Sequence, residues 1–149
     1  MAESDGPIDG DLPQHVFRWI EAAQRRIAIE LDLVLDAEVK DIGLRRLRIL
    51  QLVPSEGARQ KELAERALVT KQAMAENVDA LEAAGLVERT SDPHDGRAWL
   101  VVRSAHGSRV CVAMDDAMRQ VEKELARAVG ADRYALFQDI LRELGAEQI

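Results

Sequence analysis

The sequence predicts a mainly α-helical chain with one small β-hairpin, and three observations carry that expectation. Apolar residues recur at three- and four-residue steps over most of the length, the spacing of helices with one buried stripe. A single pair of short β-prone stretches, Leu86 to Arg89 and Trp99 to Arg103, flanks a segment dense in turn formers. The chain has 149 residues, 47% apolar and 32% charged, the size and core fraction of one compact domain.

The elements follow in order. Met1 to Pro13 is acidic and rich in Gly and Pro; it reads as a flexible tail and lacks the basic start and apolar stretch of an export leader. From Asp11, a candidate N-cap, the positions Val16, Ile20, Ala23, Ile27, Leu31 and Val34 predict one long helix that Gly43 ends. Phe17, Ala28 and Leu35 widen its stripe, as in a helix shared between a domain core and a partner. Leu44, Leu47, Ile49, Leu50 and Leu52 predict a short helix stopped at Val53-Pro54, because the residue before proline avoids the helical region. Ser55 to Ala58 reads as a turn.

Gln60 to Ala67 and Lys71 to Ala84 are helical patterns joined by a very short link, which predicts a helix-turn-helix. Leu63, Ala64 and Ala67 face inward in the first; Met74, Val78 and Leu81 do so in the second, with Thr70 as N-cap and Gly85 as stop. The hairpin that follows is expected to have an extended tip, Ser91 to Gly96. After Ser104 to Gly107, the positions Val110, Met114, Ala117, Val121 and Leu125 approach a heptad seam that Gly130 breaks. Asp132 to Leu144 repeats the pattern with Leu136, Phe137, Ile140, Leu141 and Leu144.

Composition narrows the function classes. There are 27 acidic and 20 basic residues, a net charge of -7, so any contact with nucleic acid must be local. Aromatics are 3%, too few for stacking platforms on single strands. The longest apolar stretch, Leu31 to Val39, is broken by Asp32, Asp36 and Glu38, so a soluble, cytoplasmic protein without membrane association is expected. No Gly-x-Ser-x-Gly, phosphate loop, dinucleotide fingerprint or His-Glu-x-x-His occurs, which argues against an enzyme, a catalytic residue set or a cofactor. His15, His94 and His106 lack helical ligand spacing; the cluster Asp92, His94 and Asp95 reads as solvated turn residues rather than a metal site.

Helix, helix, turn, helix and hairpin is the winged helix-turn-helix order. Its second motif helix fits the major groove of a duplex, and its wing reaches phosphate or minor groove. With Met74, Val78 and Leu81 inward, Lys71, Gln72, Ala75, Glu76 and Asp79 form the outer face. Gln72 has the amide geometry for adenine, and Lys71 reaches guanine or phosphate. Ala75 admits close approach or a thymine methyl, and Glu76 accepts from cytosine or else repels phosphate. Ala58 to Arg103 holds seven bases and eight acids, so placement rather than net charge must attract phosphate, with Arg45, Arg46 and Arg48 adding to it.

Three stretches carry a resemblance: Gln60-Lys61-Glu62-Leu63-Ala64-Glu65-Arg66, Val69-Thr70-Lys71-Gln72-Ala73-Met74, and Val78 through Gly85-Leu86-Val87-Glu88-Arg89. Together with the wing Asp92-Pro93-His94-Asp95-Gly96-Arg97, they resemble the MarR family of bacterial and archaeal transcription regulators, over roughly residues 14–144. The family's Asp-x-Arg wing signature is matched by Asp95-Gly96-Arg97. The resemblance implies a homodimer in which N- and C-terminal helices (about 14–42 and 105–145) interlock and two winged lobes (about 44–103) straddle a pseudo-palindromic DNA site. All of this lies within a single domain, 14–149, that follows the tail 1–13.

The resemblance further implies that Arg97 enters the minor groove, Asp95 orients basic side chains near the wing, and Thr70 with Lys71 holds the DNA backbone beside Gln72. It implies a repressor released by a small lipophilic or phenolic anion bound between the helices of the dimer and the lobe. Two positions depart from the family pattern: Glu76 and Asp79 oppose the lone Lys71, and Asn77 stands where an apolar residue is common.

Alternative readings are a winged-helix module whose acidic face docks on a protein, and a redox sensor based on Cys111. Beside Val110 and Met114, however, Cys111 reads more simply as a small buried hydrophobe. The resemblance would place a sensing cysteine near the start of the chain, where there is none. Trp19 and Trp99 read as core or dimer packing rather than a ligand stack.

Overall fold

A computed structural model describes residues 15–35 and 37–145. The expected tail and the Asp11 cap lie outside the described residues. The elements are α1 (Val16–Val34), α2 (Ala37–Ile42), α3 (Leu44–Leu52), β1 (Ala58–Arg59), α4 (Gln60–Arg66) and α5 (Lys71–Ala83). They continue with β2 (Val87–Asp92), β3 (Asp95–Arg103), α6 (Ala105–Val129) and α7 (Ala131–Gly145). The fold is mainly α with a small antiparallel sheet, as the sequence predicts.

The N-terminal helix differs from expectation. His15 accepts at its N-terminus from the Arg18 N–H at 3.4 Å, and the helix ends at Val34 rather than Gly43 because Leu35 turns extended. The apolar stripe runs unbroken across the bend, with Leu31, Leu35 and Val39 all buried, so periodicity alone does not reveal it. Gly43, at φ +82°, instead makes the corner between α2 and α3, a conformation that favours glycine. The predicted turn over Ser55 to Ala58 stops a residue early. Ala58 and Arg59 pair with Val101 and Leu100, making a three-stranded sheet in the order β1-β3-β2.

The core joins Leu47 and Leu50 of α3, Leu63 of α4, Met74, Val78 and Leu81 of α5, Leu86, Val87 and Val101 at the sheet, and Val110, Met114 and Val121 of α6. Cys111 is buried among them. Each such large side chain contributes about 1.5–3 kcal/mol on burial, which anchors the inward face of α5 and leaves its other face to solvent. At the seam between lobe and α6, the Ser104 N–H donates to the Leu86 carbonyl at 3.0 Å, and the Ser104 hydroxyl donates to the Gly85 carbonyl at 2.6 Å. That hydroxyl also accepts from the Gly107 N–H at 2.9 Å, capping α6.

The terminal helices are a different matter. Only Leu31 of α1 is buried, and α7 has no buried residue at all. Val16, Phe17, Trp19 and Ile20 of α1 and Leu136, Phe137, Ile140, Leu141 and Leu144 of α7 are exposed. Their stripes are therefore not spent on the core of the chain itself. Trp19 is not a core residue, and neither is Trp99, which stands exposed on β3 opposite Ser91. Among the described residues no helix is long and apolar enough to cross a membrane.

Candidate nucleic-acid interface

α5 presents its outer face as predicted. Thr70 adopts extended backbone, and its hydroxyl accepts from the Ala73 N–H at 3.1 Å, which starts the helix on the spot the sequence indicates. Lys71, Gln72, Glu76 and Asp79 are exposed, while Ala75 is half-buried. The amide of Gln72 donates to Glu76 Oε1 at 3.3 Å, so the two polar groups expected to read bases are partners in the free protein. Asn77 does not bond a neighbouring element: its amide donates to the Ala73 carbonyl of its own helix at 2.6 Å.

The acidic character of this face is corrected by a residue that sequence reasoning left unused. Arg89 of β2 reaches Asp79 at 2.5 Å and also pairs with Glu82. The Asp79 hydrogen bond is the main reason its guanidinium titrates above the ordinary arginine value. Asp79 is thus neutralised from the sheet, which leaves Lys71 opposed by Glu76 alone. A shallow polar cavity of about 360 Å³ beside α5 is lined by Gly43, Arg45, Arg46, Ala73, Glu76 and Asn77. It places the exposed Arg45 and Arg46 beside the outer face of α5; Arg48 is exposed but does not line it.

The wing is tighter than predicted. Strand pairing persists from Val87↔Arg103 to Ser91↔Trp99 and resumes at Asp92↔Asp95, leaving Pro93 and His94 as the turn. The irregularity moves into β3, where Gly96, Arg97 and Ala98 stand between the partners of Asp92 and Ser91 without partners of their own. Such a bulge re-aims side chains. It presents the exposed Arg97, whose N–H donates to Asp95 Oδ1 at 3.2 Å and whose guanidinium has no ion-pair partner among the described residues.

Asp92 overturns the picture of a solvated tip. It is 6% exposed, and its Oδ2 accepts from Arg59 Nη2 and Nε at 2.6 and 2.8 Å while its Oδ1 accepts from the His94 N–H at 2.8 Å. The backbone donor first and the guanidinium second hold this carboxyl below the usual range. Asp95, exposed, receives Arg59 more loosely at 3.5 Å. A sequence cue exists: arginine cannot accept a hydrogen bond, so at the residue before α4 it sits where an acceptor is preferred.

Residues 40–98 match the model of the MarR family. The transcriptional regulator HosA of Escherichia coli O111:H- is 27% identical over 108 residues, 72% of this chain and 80% of its own length. Among solved structures, the PcaV transcriptional regulator from Streptomyces coelicolor, in complex with its natural ligand, superimposes with a TM-score of 0.69. It is 23% identical, with 98% of each chain covered. The transcriptional repressor CouR, bound to a 23-mer DNA duplex, gives 0.71 at 22% identity, covering 91% of this chain and 96% of its own. Each of these three relatives is a transcriptional regulator or repressor.

Proposed function

We propose that the chain, whose residues 40–98 match the model of the MarR family, is a transcription regulator of that family that binds a pseudo-palindromic DNA site as a homodimer and represses transcription there. The observation that carries the reading is the pairing of two exposed features. One is the N-terminal outer face of α5 with Lys71 and Gln72; the other is Arg97 lifted out of the strand ladder by a bulge. In this reading Thr70 and Lys71 hold phosphate beside Gln72, and Ala75 lets the helix approach the bases. Glu76 exchanges its bond with Gln72 for a cytosine amino group, Asp95 steadies the wing, and Arg97 enters the minor groove. Arg45 and Arg46 supply phosphate contacts that offset the low net charge.

The apolar faces of α1 and α7 support the homodimer. Exposed stripes of this size on two helices, with a groove of about 460 Å³ between α1, α6 and α7, are what a second copy would cover. PcaV was solved with its natural ligand, which supports an effector for this chain as well; that it is small and lipophilic or phenolic is what the family resemblance implies. Its effect would be to change the separation of the two α5 helices, which must match half-sites about one helical turn apart. Burial of Cys111 removes the support for a redox sensor.

The test is selection of bound fragments from sheared DNA of the source organism against excess random competitor, with Arg97→Ala alongside. A twofold-symmetric site should be enriched, and Arg97→Ala should weaken binding to it by about 1–3 kcal/mol. Absence of any enriched site over a range of salt would overturn the reading in favour of a protein-docking module.

A further inference from the structure

We propose that Arg59 is a positioning residue for the wing, fixing through Asp92 and Asp95 the place at which Arg97 meets the duplex. This rests on the DNA-binding reading above. Three observations carry it. First, Arg59 occupies the N-cap position of α4, where Ser, Thr, Asp or Asn would cap the helix and a donor-only guanidinium cannot. Glu62 answers the Arg59 N–H at 3.2 Å, but the Arg59 side chain turns away toward the wing.

Second, it spans 33 positions of sequence to put two donors on one oxygen of a buried carboxylate, at 2.6 and 2.8 Å, and a third contact on Asp95 at 3.5 Å. Those two acids bracket the Pro93-His94 turn. The other oxygen of Asp92 holds the His94 N–H, and the other oxygen of Asp95 holds the Arg97 N–H. A continuous chain of charge-assisted bonds therefore runs from α4 to the backbone of Arg97.

Third, strand pairing cannot do this work. Gly96 to Ala98 have no partner on β2, and β1, only two residues long, pairs with β3 no nearer the tip than Leu100. Between the flanking pairs at Asp95 and Trp99, the backbone of Arg97 is tied through Asp95, the acid that Arg59 contacts. The Nε and Nη2 donors are committed to the wing acids and act on binding through Arg97; Nη1 keeps two N–H groups, and a direct phosphate contact by them is the alternative that the experiment separates.

The experiment is a thermodynamic cycle on the full chain. Affinity for the duplex recovered by the selection above is measured for the wild type, Arg59→Ala, Arg97→Ala and the double variant, with thermal melting as a check of folding. Arg59→Ala should weaken binding about tenfold in the wild type and less than about twofold once Arg97 is gone. Hydroxyl-radical footprints should lose protection at the outer minor grooves while the major-groove contacts stay, which general destabilisation would not produce. Should Arg59→Ala not fold, Asp92→Asn cuts the same chain from the other side and is expected to give the same pattern.

Equal losses in both backgrounds would mean that Arg59 touches DNA itself and would overturn the proposal, as would full affinity in Arg59→Ala. Full affinity in Arg97→Ala would bring down the wing reading together with this one; the first two results would leave the wing reading standing.

Discussion

Leu68, in the link between α4 and α5, combines a backbone φ of +53° with 88% exposure. A leucine in the left-handed region carries about 1–2 kcal/mol of strain, and here its side chain recovers little by packing. Leu68→Gly should therefore raise the free energy of unfolding by up to about 1 kcal/mol after the added freedom of the unfolded chain is counted, measurable by urea titration. A loss of stability would show that Leu68 makes contacts its exposure hides. At this scale the sequence was readable where a residue acts on its near neighbours. Thr70 caps α5 and Met74, Val78 and Leu81 turn inward, because a helix relates positions three and four apart. It was unreadable where partners are remote: nothing local ties Arg59 to Asp92, or Arg89 to Asp79.

Between elements, the junction of lobe and α6 leaves less room for a Cβ than any other described glycine site. A Cβ on Gly107 would lie 1.9 Å from the Leu86 carbonyl oxygen, so the helix and the start of β2 touch backbone to backbone. Gly107→Ala should cost about 1–3 kcal/mol or more, since neither backbone can give way cheaply, and the loss would appear in the same titration. An unchanged midpoint would mean that the first turn of α6 can shift. Helices with one buried face were legible as elements, and α3, α4, α5 and α6 begin and end within a residue or two of expectation. The bend at Leu35 and strand β1 were not. The first leaves the apolar stripe in phase, and the second is two residues long and exists only through its pairing with β3.

For the molecule as a whole, the distribution of apolar surface is uneven: the lobe is well filled, whereas α7 runs from Gly130 without burying a single residue. Ending the chain after Gly130 should leave the lobe folded and abolish the proposed homodimer, which sedimentation of the truncated and full chains would reveal. A truncated chain that still sediments as a folded dimer would refute the assignment of α7 to that contact. Amphipathic stripes in the sequence could show that these helices cover something, but not whether it lies within the chain or beyond it, because periodicity records a face and never its occupant. The seam at Ser104 and Gly107 has one more consequence, and it is kinematic. With Leu86 held by hydrogen bond and by contact, the lobe has no slack against the first turn of α6. A 25-residue helix is about 37 Å long, so a tilt of about 5° around its far end sweeps that turn through roughly 3 Å. The wing base and α5 must travel with it, as the load at the tip of a long rigid arm.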